Sequence, residues 1–134
     1  MPEPAPETLA AVVELVRETL ALEAEAPVAA GDLLFYDHGF TSMDLLDLLF
    51  RVEERFGVKI PEGTLAGLAR GGLPEAEFCG DDGVLTAAGR AQLMALLHDT
   101  PPETFPERVH RQTLPRYCTV AAIARLAERR RGGA

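Results

Sequence analysis

The chain has 134 residues, enough for one domain with a real core but not for two full ones. Apolar residues make up 47% of it, which places it among folding chains and excludes a disordered one. The net charge of −8 argues against nucleic acid or anionic lipid as a partner, and no apolar run reaches the ~20 residues of a membrane span.

In chain order, the first seven residues hold three prolines and read as a disordered tail. They show neither a basic start nor an apolar stretch, so no secretory leader is expected and the cytoplasm is the expected compartment. Thr8 reads as an N-cap. Leu9, Val12, Val13, Val16 and Leu20 follow at helical spacing, predicting a helix from about Leu9 to about Glu25, ended by Pro27. Residues 27–41 form a long connection, pinned to the core by Leu33, Leu34 and Phe35. A second helix starts near Ser42. Leu45, Leu48, Leu49, Val52 and Phe56 form one buried stripe, and Gly57 is placed to stop it.

Residues 62–116 are less regular. A short helix fits Thr64–Arg70, and Asp82-Gly83 predicts a tight hairpin-like turn. Thr86 caps a helix from about Ala87 to His98, whose Leu93–Leu97 face needs a surface to bury against. The nearest free apolar surface is that of the main helices. Pro101, Pro102 and Pro106 forbid a helix across their segment. Thr119 caps a last helix carrying Val120, Ile123, Ala124 and Ala127 on one face, with a frayed arginine-rich end.

The charge is uneven. Residues 1–67 hold 13 acids and 4 bases, whereas the last 27 residues hold seven arginines against Glu128 alone. Some of Arg108, Arg111, Arg116 and Arg125 are expected to face the acidic half. Cys79 and Cys118 suit buried thiols better than a disulfide, and two cysteines fall short of the four ligands of a structural zinc site. Asp37, His38 and Ser42 supply an acid, a base and a nucleophile. No Gly-x-Ser-x-Gly turn or oxyanion hole accompanies them, so a hydrolase is a poor reading. Asp81-Asp82-Gly83 lacks the ligand ladder of a calcium loop and reads as a turn.

The stretch from Asp37 to Pro61 carries the most information. Ser42 begins a helix after a glycine-containing loop, where its hydroxyl is accessible. A phosphodiester there would meet unpaired N–H groups at the positive end of the helix. Asp37, Gly39, Phe40, Ser42, Asp44, Asp47, Glu53, Glu54, Phe56, Gly57, Ile60 and Pro61 fall in step, without a gap, with the attachment region of acyl carrier proteins. The segment resembles that family, departing from it at Thr41, usually Asp, and at Met43, usually Leu.

The resemblance implies an all-α, antiparallel helical bundle with a carrier-like core at 8–61 and 117–130. Residues 62–116 are then an inserted subdomain with an extra helix. It also implies a protein that is not an enzyme and that bears 4′-phosphopantetheine, delivered from coenzyme A to Ser42. Asp37, Gly39, Thr41 and Met43 would surround the attachment point. Asp44, Leu46, Asp47, Phe50, Glu53 and Glu54 would form the partner-facing side. The implied partners are a phosphopantetheinyl transferase and acyl- or aminoacyl-loading and condensing enzymes with basic docking patches, serving fatty-acid, polyketide or related biosynthesis. A monomer is expected. Taken without the family, the acids also fit a solvated helix face, and Leu46 and Phe50 a widened core stripe. The rival reading is an interaction module that keeps the fold and lacks the arm.

Overall fold

The computed structural model describes residues 3–132. It is helical, and among the described residues β-pairing is limited to isolated bridges. The helices are α1 (Pro6–Thr19), α2 (Leu34–His38), α3 (Ser42–Phe56), α4 (Thr64–Arg70), α5 (Glu75–Phe78), α6 (Ala87–Leu96) and α7 (Val120–Arg131). Two 3₁₀ turns, Pro102–Thr104 and Arg111–Tyr117, lie between α6 and α7. The chain divides into two compact units. One runs to Ile60 and resumes at Cys118; the other is Pro61–Tyr117.

The first unit is a helical bundle. Helix α1 packs on α7 and α3, and α3 also packs on α7. Its core holds Val12, Leu15 and Val16 of α1, Leu48 and Val52 of α3, and the successive residues Val120–Ala127 of α7. Arg51 and Arg55 of α3 reach Glu18 and Glu14 of α1 at 3.3 and 3.7 Å. The connection before α3 is tied to the start of α7 by backbone bonds. Leu34 N–H donates to Cys118 C=O, and Val120 and Ala121 N–H donate to Asp32 and Ala30 C=O. Leu33 and Leu34 are buried there, as the sequence predicts.

Helix α3 covers the predicted span, with Gly57 at φ 65° as its C-cap. Helix α1 does not match its prediction. It begins at Pro6, inside the segment read as a disordered tail, because proline suits the first helical position. Thr8 is therefore a buried helical residue and not a cap, while residues 1–2 lie outside the described residues. The helix ends at Thr19, six residues early. Ala21 adopts φ 55°, Leu22 N–H donates to Arg17 C=O, and Ala21 N–H donates to Glu18 C=O. This is a Schellman ending built on alanine, which carries no glycine signal in the sequence. Helix α2, which the sequence reading missed, occupies the connection.

The second unit has its own core of Phe78, Leu85, Leu93, Leu97, Phe105, Val109, Leu114 and Tyr117. Helix α4 follows its predicted bounds, and Thr86 caps α6 by accepting from Gly89 N–H at 3.0 Å. The predicted turn is present: Cys79 bridges Leu85, and Gly83 has φ 81°. Helix α6 packs on α4 and α5, partners within its own unit. Helix α5 and the Arg111–Tyr117 turn were not predicted, since four residues and a proline-containing 3₁₀ stretch leave no period to read. Arg108 and Arg111 pair with Asp82 and Glu75, within the second unit. Arg116 is exposed, and Arg125 is buried in α7. Cys79 and Cys118 are free, buried thiols.

Helix α7 is capped by Thr119, which accepts from Ala122 N–H at 3.0 Å. It stays helical through Arg131, so the arginine-rich end is ordered as far as that residue, and residues 133–134 lie outside the description. Arg130 Nε donates to Lys59 C=O at 2.7 Å, and Arg131 lies over the Phe56 ring.

Candidate functional site

Ser42 is the first residue of α3 and is exposed. Gly39 prepares its position. It caps α2 with φ 65° and ψ 29°, a left-handed turn that redirects the chain toward α3. Phe40 is buried beside it, its ring 6.3 Å from that of Phe35. Thr41 is then the N-cap of α3.

Thr41 and Asp44 form a reciprocal capping box. Asp44 N–H donates to the Thr41 hydroxyl at 3.2 Å. Thr41 N–H and its hydroxyl donate to the Asp44 carboxylate at 2.9 and 3.1 Å. A helix start leaves four N–H groups without intrahelical acceptors, here those of residues 41–44. The box takes the outer two. The N–H groups of Ser42 and Met43 have no acceptor among the described residues. Ser42 thus offers a reachable hydroxyl next to two open donors at the positive end of a 15-residue helix. The residues present suit a phosphodiester on Ser42 Oγ. Asp37 is exposed, and its carboxylate accepts from Leu33 N–H at 2.7 Å, bracing α2.

His38 does not engage Ser42 as a triad base would. Its Nε2 lies 2.9 Å from the Asp32 carboxylate. Asp32 also accepts from Ala29 N–H at 2.8 Å. That backbone bond above all holds the Asp32 carboxyl below its ordinary range; burial opposes it, and the histidine adds to the lowering.

The partner-facing residues of the sequence reading separate into two groups. Leu46 and Phe50 are 53% and 63% exposed, so they do not belong to a widened core stripe, and Met43, expected beside the attachment point, joins them at 72%. At i, i+3 and i+7 they share a face opposite the Leu48–Val52 stripe. Glu54 is exposed on that side. The other acids have partners within the chain. Asp44 closes the capping box, Asp47 accepts from Arg51 Nε at 3.2 Å, and Glu53 accepts from Ile60 N–H at 2.7 Å. Sequence reasoning missed these structural roles. The Thr41-x-x-Asp44 spacing was a visible signal for the first, whereas Glu53 acting on Ile60 depends on the chain folding back after Gly57. Tyr36, 57% exposed on α2, is a further apolar surface residue that the sequence reading passed over.

No group of three or more His, Cys, Asp or Glu side chains among the described residues could hold a metal. No helix among them is long and apolar enough to cross a membrane. No curated protein and no solved structure matches the chain significantly. A family model does match: "Phosphopantetheine attachment site", over residues 10–69. That span contains most of α1, all of α2 and α3 with Ser42, and most of α4. Over residues 10–69 the chain is similar to the phosphopantetheine-binding carrier proteins, the acyl carrier protein family, whose domains hold 4′-phosphopantetheine covalently and are themselves non-catalytic.

Proposed function

We propose that Ser42 is the attachment residue and that the chain presents an acyl or aminoacyl group to enzymes of fatty-acid, polyketide or related biosynthesis. One observation carries the assignment. Within the matched span, Ser42 combines an exposed hydroxyl with the unpaired N–H groups of a helix start. In the attachment step, Ser42 Oγ forms a bond to the pantetheine-side phosphorus of coenzyme A. The diphosphate bond breaks, 3′,5′-ADP leaves, and the hydroxyl proton passes to a base of the transferase. The bound group supplies a thiol on a long arm, which holds its cargo as a thioester. The chain's own residues anchor and orient: Gly39 sets the turn, Thr41 caps the helix, and Asp37 braces the segment before it.

Partner enzymes would dock on the exposed face of α3. Met43, Leu46 and Phe50 give it apolar contact, and Glu54 with Asp47 gives it negative charge for a basic patch. Residues 62–116 extend a carrier core of 8–61 and 117–130. The division of the chain at Ile60/Pro61 and Tyr117/Cys118 supports this reading. Because the family match runs to residue 69, α4 would stand for a helix of the core and the rest of the segment for the addition. Two free thiols fit a cytoplasmic setting.

Incubation with coenzyme A and a broad-specificity phosphopantetheinyl transferase, followed by intact-mass measurement, tests the attachment. Wild type gains one phosphopantetheine, and Ser42→Ala gains none. An equal gain in both proteins would refute the assignment.

A further inference from the structure

The carboxylates of α3 differ in what they touch. Glu54 is exposed, and Asp47 lies along the helix toward Arg51. Asp44 instead turns back on residue 41, holding its N–H at 2.9 Å and its hydroxyl at 3.1 Å. The box so formed sorts the four donors of the first turn. Thr41 and Asp44 N–H are consumed, while the pair on Ser42 and Met43 stays open. Were the box to open, the Asp44 carboxylate could cap that inner pair itself and compete with an incoming phosphate.

We infer that Asp44, together with Thr41, is a positioning residue for the modification of Ser42 and not a docking contact for partners. The inference rests on Ser42 being the attachment residue. Threonine at position 41 is what makes the arrangement reciprocal, because a hydroxyl both accepts from Asp44 N–H and donates to the Asp44 carboxylate. The box fixes where the Ser42 hydroxyl stands and keeps two donors free for the phosphate. Opening it should lower the rate of attack and leave recognition of the carrier intact.

Steady-state transfer from coenzyme A by a broad-specificity transferase separates these roles in Asp44→Asn, Asp44→Ala, Thr41→Ser and Thr41→Val. The asparagine and serine variants retain an oxygen for the box, whereas the alanine and valine variants do not. The inference predicts that Asn and Ser stay within about twofold of wild type. Ala and Val lose about five- to tenfold in kcat, the size of a lost cap, with KM within about twofold. Hydrogen exchange on the unmodified proteins gives a second readout: the amide of residue 41 exchanges faster in Asp44→Ala and that of residue 44 in Thr41→Val, and neither does in the asparagine and serine variants. A docking role gives the opposite split. Asp44→Asn then falls as far as Asp44→Ala, the loss lies in KM, and it shrinks with added salt. That result, or wild-type kinetics in all four variants, overturns the inference. An unmodified wild-type protein would instead overturn the attachment reading beneath it.

Discussion

At Gly39 the chain turns left-handed immediately before the site, and a Cβ added there meets no atom within 4 Å. The cost of Gly39→Ala is therefore backbone strain alone, about 1–2 kcal/mol, and a thermal melt measures it. Gly39→Asn should cost less, since asparagine tolerates this conformation better. Asp32 makes a pH-dependent contribution. Its carboxyl is held below the ordinary value of 3.8, so its stabilisation is fully present above that value. The contribution is lost as pH falls through the lower, folded-state value. Asp32→Asn should flatten the acid side of a stability–pH profile below about pH 4 relative to wild type, and superimposable profiles would remove Asp32 from the explanation. Ser42, Gly39 and Thr41 were legible as a site because each sits at a position with a local meaning, in the turn, the cap or the first helical residue. The structural bonds of Asp44 and Glu53 were not legible. Their partners, Thr41 and the Ile60 N–H, are evident only once the helix start and the returning chain have been traced.

Helix α3 was readable end to end because its apolar period and Gly57 agree, and α1 was not because alanine makes its Schellman ending. Ala21→Gly should relieve the left-handed strain and raise stability by about 1 kcal/mol in a denaturant titration, and a loss would contradict this ending. Helix α6 reverses the usual expectation. Alanine favours a helix interior over glycine by about 1 kcal/mol, but a Cβ on Gly89 would stand 2.1 Å from the Phe78 carbonyl oxygen. Gly89→Ala should therefore destabilise the chain, because α5 approaches α6 too closely there. On α3 the two faces should separate by readout. Leu48→Ala removes a fully buried side chain and should cost about 2–5 kcal/mol. Phe50→Ala should change stability by less than about 0.5 kcal/mol while slowing acylation by a partner enzyme.

Over the whole chain, length and charge each resolve into places. The 134 residues divide into a helical bundle, Met1–Ile60 with Cys118–Ala134, and a second compact unit, Pro61–Tyr117. Of the bundle, α1, α3 and α7 were legible as helices from their periodicity, whereas α2 was too short to read. Much of the second unit was not legible, because its short helix and 3₁₀ turns are held by particular pairs such as Glu75 with Arg111 and Thr100 with the Tyr117 carbonyl. The acidity of the first half falls partly on α3, yet three of its acids already serve the fold. The exposed apolar face of Met43, Leu46 and Phe50 is the more distinctive surface for the proposed docking. What unites these features is one hydroxyl at a helix start with two donors kept open beside it. Its most direct test is fragmentation mass spectrometry of the transferase-treated protein, on the peptide cut after Arg17 and Arg51. The phosphopantetheine is predicted on Ser42; an adduct on Thr41 or Thr19, or an unmodified peptide, would contradict it.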